Sequence, residues 1–267
     1  MRPILHAYVS EPAPGSVSVP VSGAELPPIV FVHGFPMTGE VWAKQLRKLS
    51  AEINCHAVDL PGYGLSPEPN GFVASIDTFA DSLDNYIAAH HLPPVHLVGI
   101  SLGGMIALNM ARRYPHLLKS IVLLHSTAAA DSPALSAERT KIIDSIAVGG
   151  LEQFIIDFAD VLLGPNASQS VRAHYIKMMN KADKDIVIAG MIALRDRGDE
   201  TPYLGQIKTP TLVIAGDEDK RTPAEMMQKM ANAIPKARFA LIENCGHVSP
   251  LEQPKELSNL LKDWVRS

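Results

Sequence analysis

The stretch HLVGISLGGMIALNMARRYP, residues 96–115, carries the strongest indication of the fold. It starts with a short apolar run, passes through Gly99-Ile100-Ser101-Leu102-Gly103, and continues with apolar residues at helical spacing. The five central residues match G-x-S-x-G, a pattern in which a serine occupies a sharp turn between a strand and a helix. Glycines on either side permit such a turn, because a side chain there would crowd the neighbouring backbone. The pattern therefore predicts that Ser101 is a nucleophile presented to a substrate.

Further short apolar runs predict other buried strands of the same sheet. Each run ends in turn residues or polar groups, and stretches with helical periodicity lie between them. The predicted strands are 29–34, 56–62, 95–100, 120–127, 211–216 and 238–243. This alternation predicts an α/β fold with a mostly parallel sheet, helices on both faces, and ligands at the carboxyl ends of the strands.

Residues 128–207 interrupt the alternation, because no convincing strand occurs there. LEQFIIDFADVLLG (151–164) has apolar residues at helical spacing, and further helical stretches follow it. We interpret this region as a helical cap inserted into a core domain formed by residues 1–127 and 208–267. The segment EPAPGSVSVPVSGAELPP (11–28), rich in Pro, Ser and Gly, predicts a hairpin or an irregular excursion.

Composition restricts the classes of function. The chain has 267 residues, 46% of them hydrophobic, and a formal net charge of −4, which indicates a globular protein with a large core. Lysines and arginines are scattered, so nucleic acid is not an expected partner. No apolar run is long enough to span a membrane and no signal peptide is evident, so we expect a cytoplasmic protein without membrane contact. The sequence is silent about oligomeric state.

The two cysteines, Cys55 and Cys245, lie far apart and show no metal-ligand spacing. We therefore interpret them as buried thiols, and we expect neither a metal nor an organic cofactor.

A nucleophilic serine needs a histidine that takes its proton and an acid that orients the histidine. His247 in ENCGHVSPLEQP (243–254) is the candidate base, because it lies between the last predicted strand and the last predicted helix. The candidate acids Asp217, Glu218 and Asp219 directly follow the strand 211–216, and spacing alone does not separate them. Just beyond them, Thr222-Pro223-Ala224-Glu225 matches a capping box that would start the next helix.

An oxyanion formed during acyl transfer needs preorganised N–H donors. The helix start behind Ser101 supplies the backbone N–H of Leu102. The turn His33-Gly34-Phe35-Pro36 follows another strand, and the N–H of Phe35 is the predicted second donor because Pro36 has none. Asp59 precedes the serine in the chain and is interpreted as ordering the turn DLPGYG (59–64).

Together these segments resemble the α/β-hydrolase superfamily almost from end to end. Five segments carry the resemblance: the stretch around Ser101 (97–115), VHGFPMTGEVW (32–42), VDLPGYGLS (58–66), PTLVIAGDEDKRTP (210–223) and GHVSPLEQP (246–254). It implies that the acid is Asp219, the second aspartate of a G-x-x-D loop that begins at Gly216, and that residues 128–207 form a lid. Small cofactor-free esterases, 3-oxoadipate enol-lactonases and haloperoxidase-like perhydrolases look most similar. Epoxide hydrolases and haloalkane dehalogenases of this fold use an aspartate nucleophile, and Ser101 argues against both.

The expected activity is hydrolysis of a small-molecule ester or lactone through an acyl-enzyme on Ser101, with Asp219 and His247 completing the triad. A C–C hydrolase or a perhydrolase would use the same triad. A third interpretation is a small-molecule receptor or signalling protein that keeps an intact triad, and slow turnover with ligand-dependent partner binding would identify it.

The substrate pocket is less defined by the sequence. The candidate substrate-contacting residues are Met37, Trp42, His125, Phe158 and Val248, with His125 expected as a pocket wall near the end of a strand. Arg195 and Arg197 are either a solvated surface pair or a site for a substrate carboxylate.

Overall fold

A computed structural model describes residues 5–10 and 26–267 of the chain. Most of the excursion predicted for residues 11–28 lies outside the described residues. The described residues contain one seven-stranded sheet, with β1 at Ala7–Ser10, β2 at Ile29–Val32, β3 at Cys55–Val58, β4 at Val95–Ile100, β5 at Leu118–Leu124, β6 at Thr211–Gly216 and β7 at Arg238–Ile242.

The strand order across the sheet is β1-β3-β2-β4-β5-β6-β7. Strand β1 pairs with β3 in the antiparallel sense, and all other neighbours are parallel. The predicted α/β fold with a mostly parallel sheet is therefore confirmed. Because β2, β4, β5 and β6 are parallel neighbours, their carboxyl ends meet along one edge of the sheet.

Helices connect the strands and cover both faces of the sheet. They are α1 (Ala43–Leu49), α2 (Ile76–Ala89), α3 (Leu102–Arg113), α4 (Pro133–Ala147), α5 (Leu151–Leu162), α6 (Gln169–Met179), α7 (Lys184–Arg195), α8 (Ala224–Ala233), α9 (Ser249–Glu252) and α10 (Pro254–Arg266). Helices α4 to α7 all lie between β5 and β6, and α4 packs against both α5 and α7. No helix in the described ranges has both the length and the apolar character that a membrane crossing requires.

Strands β4 and β6 have the predicted bounds, whereas the other four predicted strands, β2, β3, β5 and β7, end earlier than predicted. Strand β2 stops at Val32, and the imidazole of the next residue, His33, accepts a hydrogen bond from the Leu60 backbone N–H. Strand β5 stops at Leu124 because His125 has a φ of 47°, which an extended strand does not accommodate. The early ends of β2 and β5 place His33 and His125 at the edge where the parallel strands finish.

Alternate residues of the strands enter two hydrophobic cores on opposite faces of the sheet. Val30 and Val32 pack into one core, and Ile29 and Phe31 pack into the other. Every residue of β4 and β6 is buried, because helices cover the sheet on both sides. The rigid sheet therefore fixes the positions from which the loops at its carboxyl edge extend.

Candidate active site

Ser101 occupies a strained turn between β4 and α3. Its φ of 53° and ψ of −113° lie in a region that residues with side chains rarely adopt. The turn is held by a hydrogen bond from Ser101 N to Leu124 O (2.8 Å) and by one from Ser126 Oγ to Ser101 O (2.8 Å). Ile100 and Leu102 are buried on either side, whereas Ser101 remains partly exposed. The turn thus presents the serine at the carboxyl end of β4.

Close approaches of the backbone require glycine at positions 99 and 103, on either side of the Ser101 turn. A Cβ at Gly99 would lie 2.1 Å from Gly103 O, and a Cβ at Gly103 would lie 2.4 Å from Val32 O. The first neighbour is a main-chain atom of α3 and the second a main-chain atom of β2, and both residues are buried, so these atoms have little freedom to move. The glycines let α3 start directly against β2 and β4.

We expect Gly103→Ala to lower the free energy of unfolding by about 3 kcal/mol, because its methyl group must displace the β2 backbone. The measurement is the urea midpoint at constant m-value. Gly198→Ala is the matched control, since a Cβ there meets no atom within 4 Å. Equal midpoints for the two variants would contradict the steric argument.

The predicted oxyanion loop lies against the serine. A Cβ at Gly34 would lie 3.2 Å from the Ser101 Cβ and 3.2 Å from Ile100 O. The next backbone N–H, that of Phe35, and the N–H of Leu102 donate to no other group in the described part of the chain. Both amides are therefore available as donors, and their role in stabilising an oxyanion remains a prediction.

Hydrogen bonds of Asp59 and His33 hold the segment around the predicted oxyanion loop in place. The Asp59 carboxylate accepts hydrogen bonds from Gly39 N (2.7 Å) and Leu65 N (2.9 Å), so it orders the turn as expected. His33 Nδ1 donates to Gly34 O (2.9 Å), and its Nε2 accepts from Leu60 N. Burial lowers the pKa of His33, so the imidazole stays neutral and keeps one nitrogen as an acceptor.

Asp219 is the centre of a buried hydrogen-bond network. Its Oδ1 accepts from the backbone N–H groups of Arg221 (2.8 Å) and Thr222 (3.0 Å). Its Oδ2 accepts from Thr222 Oγ1 (2.6 Å), from His247 Nδ1 (2.8 Å) and from His125 Nδ1 (3.0 Å). Burial alone would raise the pKa of Asp219, but the charge of His247 and the bonds from both imidazoles outweigh it and hold the pKa well below its usual value.

The structure separates the three candidate acids. Asp217 Oδ1 accepts from Cys245 N (3.2 Å), and Glu218 Oε1 accepts from Asn166 Nδ2 (2.7 Å). Asp219 is the one of the three that contacts His247. Its catalytic role remains a prediction.

The capping box predicted for Thr222 is wrong. Helix α8 begins at Ala224 with the extended residue Pro223 at the N-cap position and no side-chain cap. The Thr222 hydroxyl donates instead to Asp219 Oδ2 (2.6 Å), and a charged carboxylate is a stronger acceptor partner than a neutral group. Thr222 therefore supports the acid rather than the helix.

His125 was expected as a pocket wall, and the structure places it inside the network. Its imidazole is fully buried, with Nδ1 on Asp219 and Nε2 accepting from Ser249 Oγ (2.8 Å). Burial lowers its pKa, although the hydrogen bond and the charge of Asp219 oppose that shift. Two histidines thus donate to one carboxylate oxygen, and their rings lie 5.5 Å apart.

His247 is held by its main chain and by Glu252. His247 N donates to Leu162 O at the end of α5 (2.7 Å). The Glu252 carboxylate accepts from Gly246 N (3.0 Å), from Val248 N (2.9 Å) and from Gly164 N (2.8 Å), so it braces the loop on both sides of the histidine. His247 Nε2 has no hydrogen-bond partner among the described residues.

The hydroxyl of Ser101 makes no hydrogen bond to His247 in the described part of the chain. The two residues nevertheless belong to one edge, since Ser101 N bonds to Leu124 O and the following residue, His125, packs against the His247 ring. In unliganded enzymes the contact between nucleophile and base is often long and shortens when substrate binds. The structure brings Asp219 and His247 into direct contact and places Ser101 at the same edge of the sheet.

Of the other predicted pocket residues, Met37, Trp42 and Val248 are fully buried. Phe158 is partly buried and packs edge-on against Phe35, with ring centroids 5.9 Å apart. Contact of these residues with a substrate remains a prediction.

Sequence reasoning missed the supporting roles of His125, Ser249 and Glu252. Ser249 and Glu252 are both in the segment GHVSPLEQP, where a carboxylate near a loop of backbone N–H groups is a usable signal. The pairing of His125 with Asp219 depends on which strand ends are neighbours, and no local pattern encodes that.

His125, Asp219 and His247 are also the residues that could hold a metal ion, because their ligand-type atoms lie within 4.8 Å of one another. Both imidazole Nδ1 atoms, however, point at the same carboxylate oxygen. A metal ion would have to displace both hydrogen bonds. The arrangement is better suited to orienting an imidazole than to coordinating a cation.

The chain is similar to known proteins over nearly its full length. Residues 29–260 match the family model described as Alpha/beta hydrolase family. The chain is 27% identical over 249 residues to AB hydrolase superfamily protein YisY of Bacillus subtilis (strain 168), covering 90% of this chain and 92% of that protein. It is 28% identical over 242 residues to a pimeloyl-(acyl-carrier protein) methyl ester esterase of Nitrosomonas europaea, covering 86% and 92%.

A similar solved structure is that of a thermophilic esterase from Thermogutta terrifontis, with a TM-score of 0.88, 27% identity, and coverage of 98% of this chain and 93% of that one. The enol-lactonase from Burkholderia xenovorans LB400 has a TM-score of 0.87 at 20% identity, covering 98% and 96%, and it bears on the fold alone. Since the family model spans most of the chain, the protein belongs to the alpha/beta hydrolase family and is a hydrolase of that superfamily.

Proposed function

We propose that the protein is a serine hydrolase that cleaves carboxylic esters or lactones through an acyl-enzyme. The observation that carries this proposal is the 2.8 Å hydrogen bond between Asp219 Oδ2 and His247 Nδ1. His247 Nε2 has no partner among the described residues, and the strained Ser101 turn lies at the same edge of the sheet. A base with one nitrogen fixed by a carboxylate and the other free is the arrangement that activates a serine.

In the first half-reaction, Ser101 Oγ attacks the ester carbonyl carbon while its proton moves to His247 Nε2. Asp219 stabilises the imidazolium that forms. The backbone N–H groups of Phe35 and Leu102 donate to the oxyanion of the tetrahedral intermediate. The intermediate then collapses, the bond to the alcohol oxygen breaks, and His247 returns the proton to that oxygen.

In the second half-reaction, water replaces the alcohol. His247 Nε2 takes a proton from the water as its oxygen attacks the acyl carbon, and the second tetrahedral intermediate expels Ser101 Oγ, which recovers the proton. The products are one carboxylic acid and one alcohol. A lactone is an internal ester, so the same steps give a single hydroxy acid.

The network around Asp219 supports this mechanism. The pKa of the carboxylate lies well below its usual value, so Asp219 stays ionised at neutral pH and can stabilise the imidazolium. Its two backbone donors and the Thr222 hydroxyl prevent the carboxylate from rotating away from His247.

We also propose that residues 128–207 form a cap over the reacting groups. Two contacts support this: the rings of Phe154 and Phe158 on α5 lie 6.3 Å and 5.9 Å from that of Phe35. The names of two relatives, a methyl ester esterase and a thermophilic esterase, favour ester cleavage over the other reactions that the same triad performs.

Covalent labelling tests the proposed function directly. A fluorophosphonate should add once per chain, and peptide mapping by mass spectrometry should place the adduct on Ser101, because activated serines react with such reagents. The labelled protein should lose hydrolysis of 4-nitrophenyl butyrate in proportion to the adduct. An adduct on another serine, or turnover of a vinylogous diketone but of no ester, would contradict the proposal.

A further inference from the structure

A cavity of about 390 Å³ lies between α4, α5 and α7, a size that fits a small organic ligand. Part of its lining is apolar, comprising Ile142, Phe154, Phe158, Val161 and Met191. Arg139 and Arg221 also line it. The cavity therefore combines an apolar wall with two guanidinium groups.

The cavity adjoins the proposed catalytic groups at two points. Arg221 follows Asp219 by two residues and donates its backbone N–H to that carboxylate. Phe158 packs against Phe35 of the proposed oxyanion loop. Neither Ser101 nor His247 lines the cavity, so it suits the part of a substrate remote from the reacting carbonyl.

Three positive and two negative side chains line the cavity: Arg139, Lys141 and Arg221, and Glu138 and Asp157. Asp131 is buried and pairs with Arg139 Nε (2.5 Å) and with Arg197 Nη1 (2.5 Å), so one carboxylate already serves two guanidinium groups. The two arginines considered above as a carboxylate site or a surface pair each have an acidic partner. Arg197 pairs with Asp131, and Arg195 pairs with Asp196. Arg221 adds a third positive charge to the group.

Among the described residues, the Arg221 guanidinium forms no ion pair and no hydrogen bond, although the side chain is partly buried. Glu138 and Asp157 also line the cavity, but both are exposed and neither forms an ion pair with Arg221. Burial, and then the charge of Arg139, lowers the pKa of Arg221. An unpaired, partly desolvated guanidinium is unfavourable until an anion reaches it, and carboxylates match its planar fork.

We propose that Arg221 is a specificity residue that binds a carboxylate at the far end of the substrate, with the connecting chain against Phe154 and Phe158. This inference rests on the proposed function, and it narrows the substrate class to esters or lactones that carry a free carboxylate. Arg139 lines the same cavity but remains paired with Asp131, so Arg221 is the guanidinium available to the carboxylate.

Two matched esters test this proposal. Mono-4-nitrophenyl adipate carries the carboxylate, and methyl 4-nitrophenyl adipate is its neutral counterpart of similar shape. In Arg221→Gln, the ratio of kcat/KM for the charged ester to that for the neutral ester should fall about 10- to 100-fold, as expected for loss of a charged hydrogen bond. The loss should appear in KM, because the contact is the same in the ground state and the transition state.

The ratio of kcat/KM for the two esters separates carboxylate binding from a structural effect of the substitution on the reacting groups. Any influence of Arg221 on Asp219 would change both esters equally and leave the ratio unchanged. Arg221→Lys should recover part of the preference, because it keeps the charge but loses the planar fork. Arg172→Gln on α6 is the control, since Arg172 pairs with Asp160 and does not line the cavity. An unchanged ratio in Arg221→Gln would overturn the proposal.

A binding measurement separates this inference from the proposed function. Adipate titrated calorimetrically into Ser101→Ala should bind, and Arg221→Gln in the same background should weaken it by about the same factor as the ester ratio. If no ester is cleaved, the proposed function fails. The titration still tests whether Arg221 binds a carboxylate. Equal adipate affinity in the two proteins would overturn the anion site alone.

Discussion

Ser101→Ala is expected to lower kcat for 4-nitrophenyl butyrate by about four orders of magnitude or more. The variant lacks the oxygen that would form the acyl-enzyme in the proposed mechanism, and neither His247 nor the backbone N–H groups of Phe35 and Leu102 can replace it. What remains is attack by water, assisted by the binding of the ester and by the oxyanion donors. Stopped assays over hours, with enzyme at micromolar concentration, measure this residual rate.

The variant should fold normally, because serine and alanine face the same backbone strain at a φ of 53°. The hydrogen bonds from Ser101 N to Leu124 O and from Ser126 Oγ to Ser101 O involve the Ser101 main chain and not its hydroxyl. Ser170→Ala, an exposed position on α6, is the control and should retain full activity. Activity within tenfold of the wild type in Ser101→Ala would remove the serine from the mechanism.

Asp219→Asn should lower kcat for the same ester by about 10³- to 10⁴-fold. The amide has nearly the shape of the carboxylate, but it carries no charge with which to stabilise the imidazolium. It also replaces one acceptor oxygen by an N–H₂ group, in a network where Oδ2 accepts from two imidazoles and one hydroxyl. The pH–rate profile should change together with kcat, because the acid sets the tautomer and basicity of His247.

The two neighbouring carboxylates supply the controls for this prediction. Asp217→Asn and Glu218→Gln remove charges of the same loop that contact Cys245 N and Asn166 instead of His247. Both variants should retain kcat within about threefold, consistent with their positions outside the network. A loss in Glu218→Gln as large as that in Asp219→Asn would refute the assignment of the acid.

Several features of this arrangement could be predicted from the sequence because they are local. The Gly99 to Gly103 pattern predicts a strand, a turn and a helix, and β4, Ser101 and α3 follow in that order. The choice among Asp217, Glu218 and Asp219 is not local in the same way. It depends on the direction each side chain takes after Gly216, and the resemblance to a family, rather than spacing, indicated Asp219.

The unpredicted features depend on contacts between distant parts of the chain. His125 meets Asp219 only because β5 and β6 are neighbours in the sheet. Thr222 matches a capping pattern, but a nearby carboxylate competes for its hydroxyl. The sequence does not distinguish Arg195, Arg197 and Arg221. The structure does, because Asp196 pairs with Arg195 and Asp131 pairs with Arg197, whereas Arg221 forms no ion pair among the described residues.

The anchoring of the histidine loop to the end of α5 has a consequence for building chimeras of this protein. His247 N bonds to Leu162 O, and Glu252 joins Gly164 N to the amides on both sides of the histidine. A Cβ at Gly246 would lie 2.2 Å from Gly164 N, so these two segments tolerate no extra bulk between them. A chimera that takes the helices of residues 128–207 from a relative should therefore take residues 246–252 from the same relative. Exchanging 128–207 alone would pair the new residues 162–164 with a loop that does not match them.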